Sequence, residues 1–241
     1  MASLNAPSPD LYGRALLDYL KGRRLPVHLR RGDGRLAVLD LKSYFGGPEL
    51  FTPMERCIVA HARGAVLDLG AGGGRIAAHL QSMAGPDQDV TEVVAVDASQ
   101  GACSCLRRFG LRSVVHSPWQ RVMESGIWHG RFDSVVLAGG NLGLAGDPSG
   151  LAVMLGWLRG LLRPCGTILA TGLAPWPPPG GCDALPVRFR VEYAGRVGEW
   201  FAWLTLTPAA LELAAASEGL RVERWLLPAD HADFGAQLVR I

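Results

Sequence analysis

Residues 64–75 read GAVLDLGAGGGR, and no other stretch of the 241-residue chain restricts the fold as tightly. Residues 65–69 form an apolar run with the Val and Leu content of a buried parallel strand. The run carries one acid, Asp68, and then breaks into Gly70-Ala71-Gly72-Gly73-Gly74 ahead of a segment with helical spacing. Glycines at such a break let the backbone turn tightly and let a ligand lie directly against it. A dinucleotide fingerprint starting at Gly70 needs its third glycine at position 75, and that residue is Arg75. The pattern is instead D-x-G-x-G-x-G, with an acid two residues before the first glycine.

The chain around this loop alternates. Residues 10–21 have helical spacing with Asp10 as cap, and Asp33-Gly34 marks a hairpin turn between alternating residues. Thr52-Pro53-Met54-Glu55 opens a helix with a capping box and a proline at its first position. Beyond the loop, a helix over 75–82 precedes strands at 92–96, 112–116 and 132–137. A helix over 99–109 separates the first two, and a Pro164-Cys165-Gly166 turn precedes a strand at 167–171. Asp147-Pro148 repeats the cap-and-proline device. The spacing predicts an α/β fold: a doubly wound, mostly parallel seven-stranded sheet with helices on both faces. Strands at 221–227 and 237–241 add an antiparallel C-terminal pair. Residues 1–51 read as a helix-and-hairpin cap on a core of 52–241. Within that core, 174–206 is an insertion: a proline-rich stretch, then a hairpin of 187–193 and 199–206.

The glycine-loop pattern resembles motif I of the class I (Rossmann-like) methyltransferases that use S-adenosylmethionine, in their small-molecule type. The resemblance covers 52–173 well and the terminal strands loosely. It implies S-adenosylmethionine as cofactor, S-adenosylhomocysteine as product, and no metal. In that family Asp68, Gly70, Ala71, Gly72 and Gly74 would hold the methionine part, its carboxylate at the loop and helix N-terminus. Asp97, about 20 residues after the loop, would accept from the ribose hydroxyls beside Ala98. Ser117 and Trp119 stand where the adenine is read, and Gly139 stands beside the sulfonium. Asn141, in a GGNLG stretch that is not the Asn/Asp-Pro-Pro-Tyr-like motif of many amine and nucleobase enzymes, either orients substrate or stabilises its own turn. Tyr44 and Phe45 close over the cofactor from the N-terminal side, and Trp176 and Trp200 line the acceptor pocket; Trp203 packs the hairpin. Among six histidines, His231 is the favoured base.

Composition narrows the partners. The chain is 19% charged with a net charge of +2, so it has no strongly basic balance to suggest nucleic acid. No apolar run reaches the roughly 18 residues of a spanning helix, and residues 1–13 lack a secretory pattern. Five cysteines, an odd number, suit reduced thiols in a cytoplasm, and Cys103-x-Cys105 lacks a second pair at zinc spacing. A small-molecule acceptor, a monomer or homodimer, and bacterial secondary metabolism are expected. The alternatives are a non-methylating enzyme on the same scaffold, a protein or nucleic-acid methyltransferase, a cofactor-binding module without turnover and, least favoured, an NAD enzyme.

Overall fold

The computed structural model describes residues 10–175, 183–226 and 233–241. The N-terminal helix α1 (Leu11–Leu20) is capped by Asp10, whose carboxylate accepts from the Gly13 N–H. Strands β1 (Val27–Arg31) and β2 (Leu36–Val38) form the hairpin that Asp33-Gly34 signals. Helix α2 (Pro53–His61) carries the complete Thr52/Glu55 capping box, worth about 1 kcal/mol at such a site. Then come β3 (Gly64–Leu69), α3 (Arg75–Ser82), β4 (Val90–Asp97), α4 (Gln100–Arg108), β5 (Ser113–His116), α5 (Trp119–Ser125), β6 (Phe132–Leu137), α6 (Pro148–Leu161) and β7 (Leu162–Leu173). The chain finishes with β8 (Ala184–Tyr193), β9 (Arg196–Val197), β10 (Phe201–Leu206), α7 (Pro208–Ser217), β11 (Leu220–Trp225) and β12 (Asp233–Arg240).

The central sheet has seven strands in the order β11-β12-β7-β6-β3-β4-β5. The pairs within β5–β4–β3–β6–β7 are parallel, while β12 runs antiparallel to both β7 and β11. This is the expected sheet, including its antiparallel end. One face packs α5, α6 and α7 around Phe132, Leu155 and Phe234; the other packs α2, α3 and α4 around Ile58, Leu80 and Leu106. Strands covered on both faces need continuous apolar runs, which is why 65–69 and 93–96 read as they do.

Three local readings change. The Pro164-Cys165-Gly166 turn lies inside β7: the ladder passes from Phe132–Leu162 to Ser134–Thr167, so the four residues between bulge outward. Helix α5 fills a stretch with too few periodic positions to announce itself. Finally, the hairpin cap and the insertion are not separate. β8 pairs antiparallel with β1 from Val27–Tyr193 to Arg31–Phe189, and a second, five-stranded sheet results in the order β10-β8-β1-β2, with β9 folded back on β8.

Candidate functional site

The C-terminal ends of β3 and β4 place two carboxylates at the glycine loop. Asp68 is 2% exposed, and its Oδ2 is buried with no hydrogen-bond partner among the described residues. Burial, and then the nearby Asp97 charge, push its carboxyl up to about 7, against a backbone N–H bond from Ala77 that pulls it down. Asp97 ends β4. Its Oδ2 accepts from the Gly72 N–H and its Oδ1 from the Ser99 N–H, each at 2.8 Å. Burial raises its carboxyl too, with those two N–H bonds opposing.

The loop between the acids is tightly tied. Gly70, Gly72 and Gly74 all have positive φ, the left-handed region glycine enters without a Cβ penalty. The Gly70 and Ala71 N–H groups donate to the Val96 carbonyl and the Gly74 N–H to the Ala71 carbonyl. With Gly72 on Asp97, these four donors already have partners within the protein. Arg75, the residue that breaks the dinucleotide pattern, pairs with Glu55 and lies over the Phe51 ring, fixing α3 to α2.

Two tyrosines close over the loop. A Cβ at Gly72 would stand 2.9 Å from the Tyr12 hydroxyl and 3.6 Å from the Tyr44 ring. The two rings meet edge to face at 5.8 Å. Burial raises both phenols, that of Tyr12 well above its ordinary range with help from Tyr44 and Asp97. Tyr12 arrives on α1, which crosses α4 where Gly13 and Gly101 touch backbone to backbone. Asp10 locks that crossing by accepting from the Ser99 hydroxyl at 2.7 Å and the Gly101 N–H at 2.9 Å. The sequence reading missed Tyr12. The signal was Gly13: glycine inside a helix costs about 1 kcal/mol, so it marks a close approach.

On the β6 side, Gly139 has φ +69 and open space where a Cβ would be. Asn141 is 9% exposed, and its Nδ2 donates to the Leu69 and Gly70 carbonyls, both at 2.9 Å. It ties the end of β6 to the glycine loop, so its amide nitrogen is already used. Asn141–Ala145 form a short 3-10 turn. Leu144 packs on Gly70, and Trp203 of β10 packs so closely on Gly143 that a Cβ there would collide with its Nε1.

The other expected residues divide. Ala98 is exposed at the end of β4 and its carbonyl contacts His116 Nε2 at 3.0 Å. The Ser117 N–H donates to the Asp97 carbonyl, which keeps Ser117 at the cleft edge. Trp119 is 7% exposed; it stacks on Trp157 at 5.8 Å and donates to the Leu144 carbonyl, supporting the 3-10 turn from within the core. Phe45 stacks on Tyr19 at 5.3 Å, beside α1 and away from Tyr44's contact with the loop. Trp200 lies between Arg188 and Arg190, 5.5 and 4.7 Å from its ring, on the opposite face of the small sheet from Trp203. Trp176 and His231 lie outside the described residues. Among the described residues no cluster of three His, Cys, Asp or Glu suits a metal, and no helix is long and apolar enough to cross a membrane. A surface cavity of about 540 Å³, lined by Arg14, Asp18, Lys21 and Ser104, includes no glycine-loop residue.

No family model matches the chain, and no curated protein does. Solved structures do. A SAM-dependent methyltransferase from Bacteroides fragilis, in complex with S-adenosyl-L-homocysteine, is 21% identical with a TM-score of 0.79, covering 96% of this chain and 94% of that one. The 1,6-didemethyltoxoflavin-N1-methyltransferase of Burkholderia thailandensis is 18% identical with a TM-score of 0.53, over 99% and 93% of the two chains. The sugar N-methyltransferase KedS8 from Streptoalloteichus is 16% identical with a TM-score of 0.52, over 76% and 84%. The chain shares their fold.

Proposed function

We infer that the protein is an enzyme that transfers a methyl group from S-adenosylmethionine to a small-molecule acceptor. The observation that carries this reading is the unpartnered, buried Asp68 Oδ2 at the mouth of the glycine loop. A buried carboxylate oxygen without a partner is costly, and an ammonium is the group that best relieves it. Among ligands suited to this fold, S-adenosylmethionine offers an α-ammonium there and a ribose diol for Asp97 one strand away.

The residues present fit that ligand. Asp68 would hold the ammonium, and the Asp97 oxygens would accept ribose hydroxyls on the lone pairs left by Gly72 and Ser99. With the Gly70, Ala71, Gly72 and Gly74 N–H groups already engaged, the methionine carboxylate would meet the Gly73 N–H and the first turn of α3, on the side that Tyr12 and Tyr44 cover. When bound, the cofactor would supply an activated methyl: the acceptor's lone pair would form the new bond, the carbon–sulfur bond would break with its electrons going to sulfur, and any proton the acceptor sheds would leave once the product is released. The chain's own work is alignment and exclusion of water. Tyr12 and Tyr44 cover the loop, and Asn141 holds the β3 and β6 ends in register. Residues 52–241 carry the cofactor core, Tyr12 and Tyr44 of the N-terminal part close over it, and the rest of 1–51 with 174–206 set the acceptor. A cytoplasmic enzyme of bacterial secondary metabolism fits a weakly charged chain whose fold is shared with a sugar N-methyltransferase and a didemethyltoxoflavin methyltransferase.

Incubation with S-adenosylmethionine and a panel of phenols, amines and carboxylic acids tests this by mass spectrometry. S-adenosylhomocysteine, together with a product heavier by one methylene, is the expected result. Release of 5′-methylthioadenosine instead would establish a different transfer on the same scaffold.

A further inference from the structure

Resting on the methyl-transfer reading, we propose that the face of the small sheet bearing Phe189, Phe201 and Trp203 is the acceptor subsite, and that it takes a planar conjugated ring. The register places these side chains together. Phe189 pairs with Arg31 on one side and Phe201 on the other, and Val187 pairs with Trp203 in the neighbouring row. Directly paired residues, and those two along a strand, share a face.

Both ends of this face are anchored on residues that touch the glycine loop. At one end Val27 and Tyr193 join the apolar cluster of α1, which includes Tyr12 and Tyr44. At the other, Trp203 rests on Gly143 in the turn whose Asn141 and Leu144 flank Gly70. The two rings between these anchors, Phe189 and Phe201, are not closed over. Phe201 is 40% exposed and Phe189 half-buried. Their rings stand 6.2 Å apart, and Phe201 meets Trp203 at 6.4 Å and 74°. Linked rings in tilted and edge-to-face contact, open on one side, make a surface for another flat ring.

Trp203 Nε1 is buried against Gly143, without a partner among the described residues, so the ring itself, and not its N–H, is what a ligand on this face meets. The charge in the Phe189 row is Arg31, a cation paired with Asp33 at 3.3 Å. With that charge already met by Asp33, the aromatic faces set what this row accepts, and they suit a flat ring better than a sugar.

Titration of the full chain, with and without S-adenosylhomocysteine, tests the subsite. The probes are 8-hydroxyquinoline, caffeate and lumazine as planar ligands and glucosamine as contrast, read by tryptophan quenching and calorimetry. We expect at least one planar probe to bind. Phe201→Ala should weaken it tenfold or more, and Trp203→Phe should abolish the quenching, while S-adenosylhomocysteine affinity stays within threefold. Phe201 is exposed enough that its replacement spares the fold. Glucosamine binding in place of the planar probes, or planar binding that neither variant changes, overturns the inference while leaving the methyl-transfer reading intact. No heat from S-adenosylhomocysteine with the wild-type chain ends both.

Discussion

The parallel part of the seven-stranded sheet, β3 to β7, is assembled from strands that follow one another in sequence, each crossover delivered by a helix. The five-stranded sheet joins β1 to β8 across most of the chain: Arg30 and Glu192, bonded at 2.6 Å, stand 162 residues apart. The first presents backbone and two carboxylates at its strand ends; the second presents aromatic and basic side chains. A ligand portion common to many enzymes is well served by the first arrangement, whose geometry is set by loop backbone and tolerates little change. A variable portion is better served by the second, where side chains on a pleated face exchange without disturbing the loop. If the division holds, the two halves of the site should fail separately.

The largest expected effect is on the cofactor half. Asp68→Asn should weaken S-adenosylhomocysteine by on the order of 100-fold, the loss of a charge-assisted bond of about 2–3 kcal/mol, with the acceptor KM little changed. It should also remove a pH dependence. Asp68 keeps its proton in the folded state up to about 7, against an ordinary value of 3.8. The folded form therefore binds more protons than the unfolded between those values, and the free protein loses stability as pH rises across that window. An ammonium partner favours the charged form, so cofactor affinity should rise about tenfold from pH 6 to pH 8. Calorimetry at the two pH values checks both statements, and a flat profile in the wild type would contradict them.

Next comes the acceptor half. Gly143→Ala puts a Cβ into Trp203 Nε1 and should raise the acceptor KM roughly tenfold with cofactor affinity within threefold. Equal losses in both constants would mean that the two sheets act as one wall. Asn141→Ala strips partners from the Leu69 and Gly70 carbonyls. A cost of about 1–3 kcal/mol in stability and a several-fold loss of cofactor affinity should follow; a change confined to acceptor KM would make Asn141 a substrate contact after all. The smallest effect is at Trp200, which packs on Arg188 and Arg190 away from the aromatic face. Trp200→Ala should cost about 1 kcal/mol of stability and leave both constants within twofold.

The same contrast governs what the sequence reveals. The glycine loop, Asp68, Asp97, the Thr52/Glu55 box and the Asp147-Pro148 cap are legible because each acts within a few residues of itself. The pairing of β1 with β8 is not, because a lone alternating segment does not name its partner. Within the expected hairpin, the register that sets Val187 opposite Trp203 leaves Trp203 packing on Gly143, as expected, and puts Trp200, expected in the pocket, on the other face beside Arg188 and Arg190. Tyr12 escaped for a related reason: its target, Gly72, is brought beneath it by a helix crossing that Gly13 and Gly101 permit.

The most direct test of the account is a calorimetric titration at pH 8 of wild type and Asp68→Asn with S-adenosylhomocysteine and, separately, NADH. Micromolar-range binding of S-adenosylhomocysteine by the wild type, its loss by about 100-fold in Asp68→Asn, and no heat from NADH are the predicted results. Binding of NADH without S-adenosylhomocysteine, or equal affinity for S-adenosylhomocysteine in the two proteins, would contradict the claim that the buried carboxylate at the glycine loop is the cofactor's anchor.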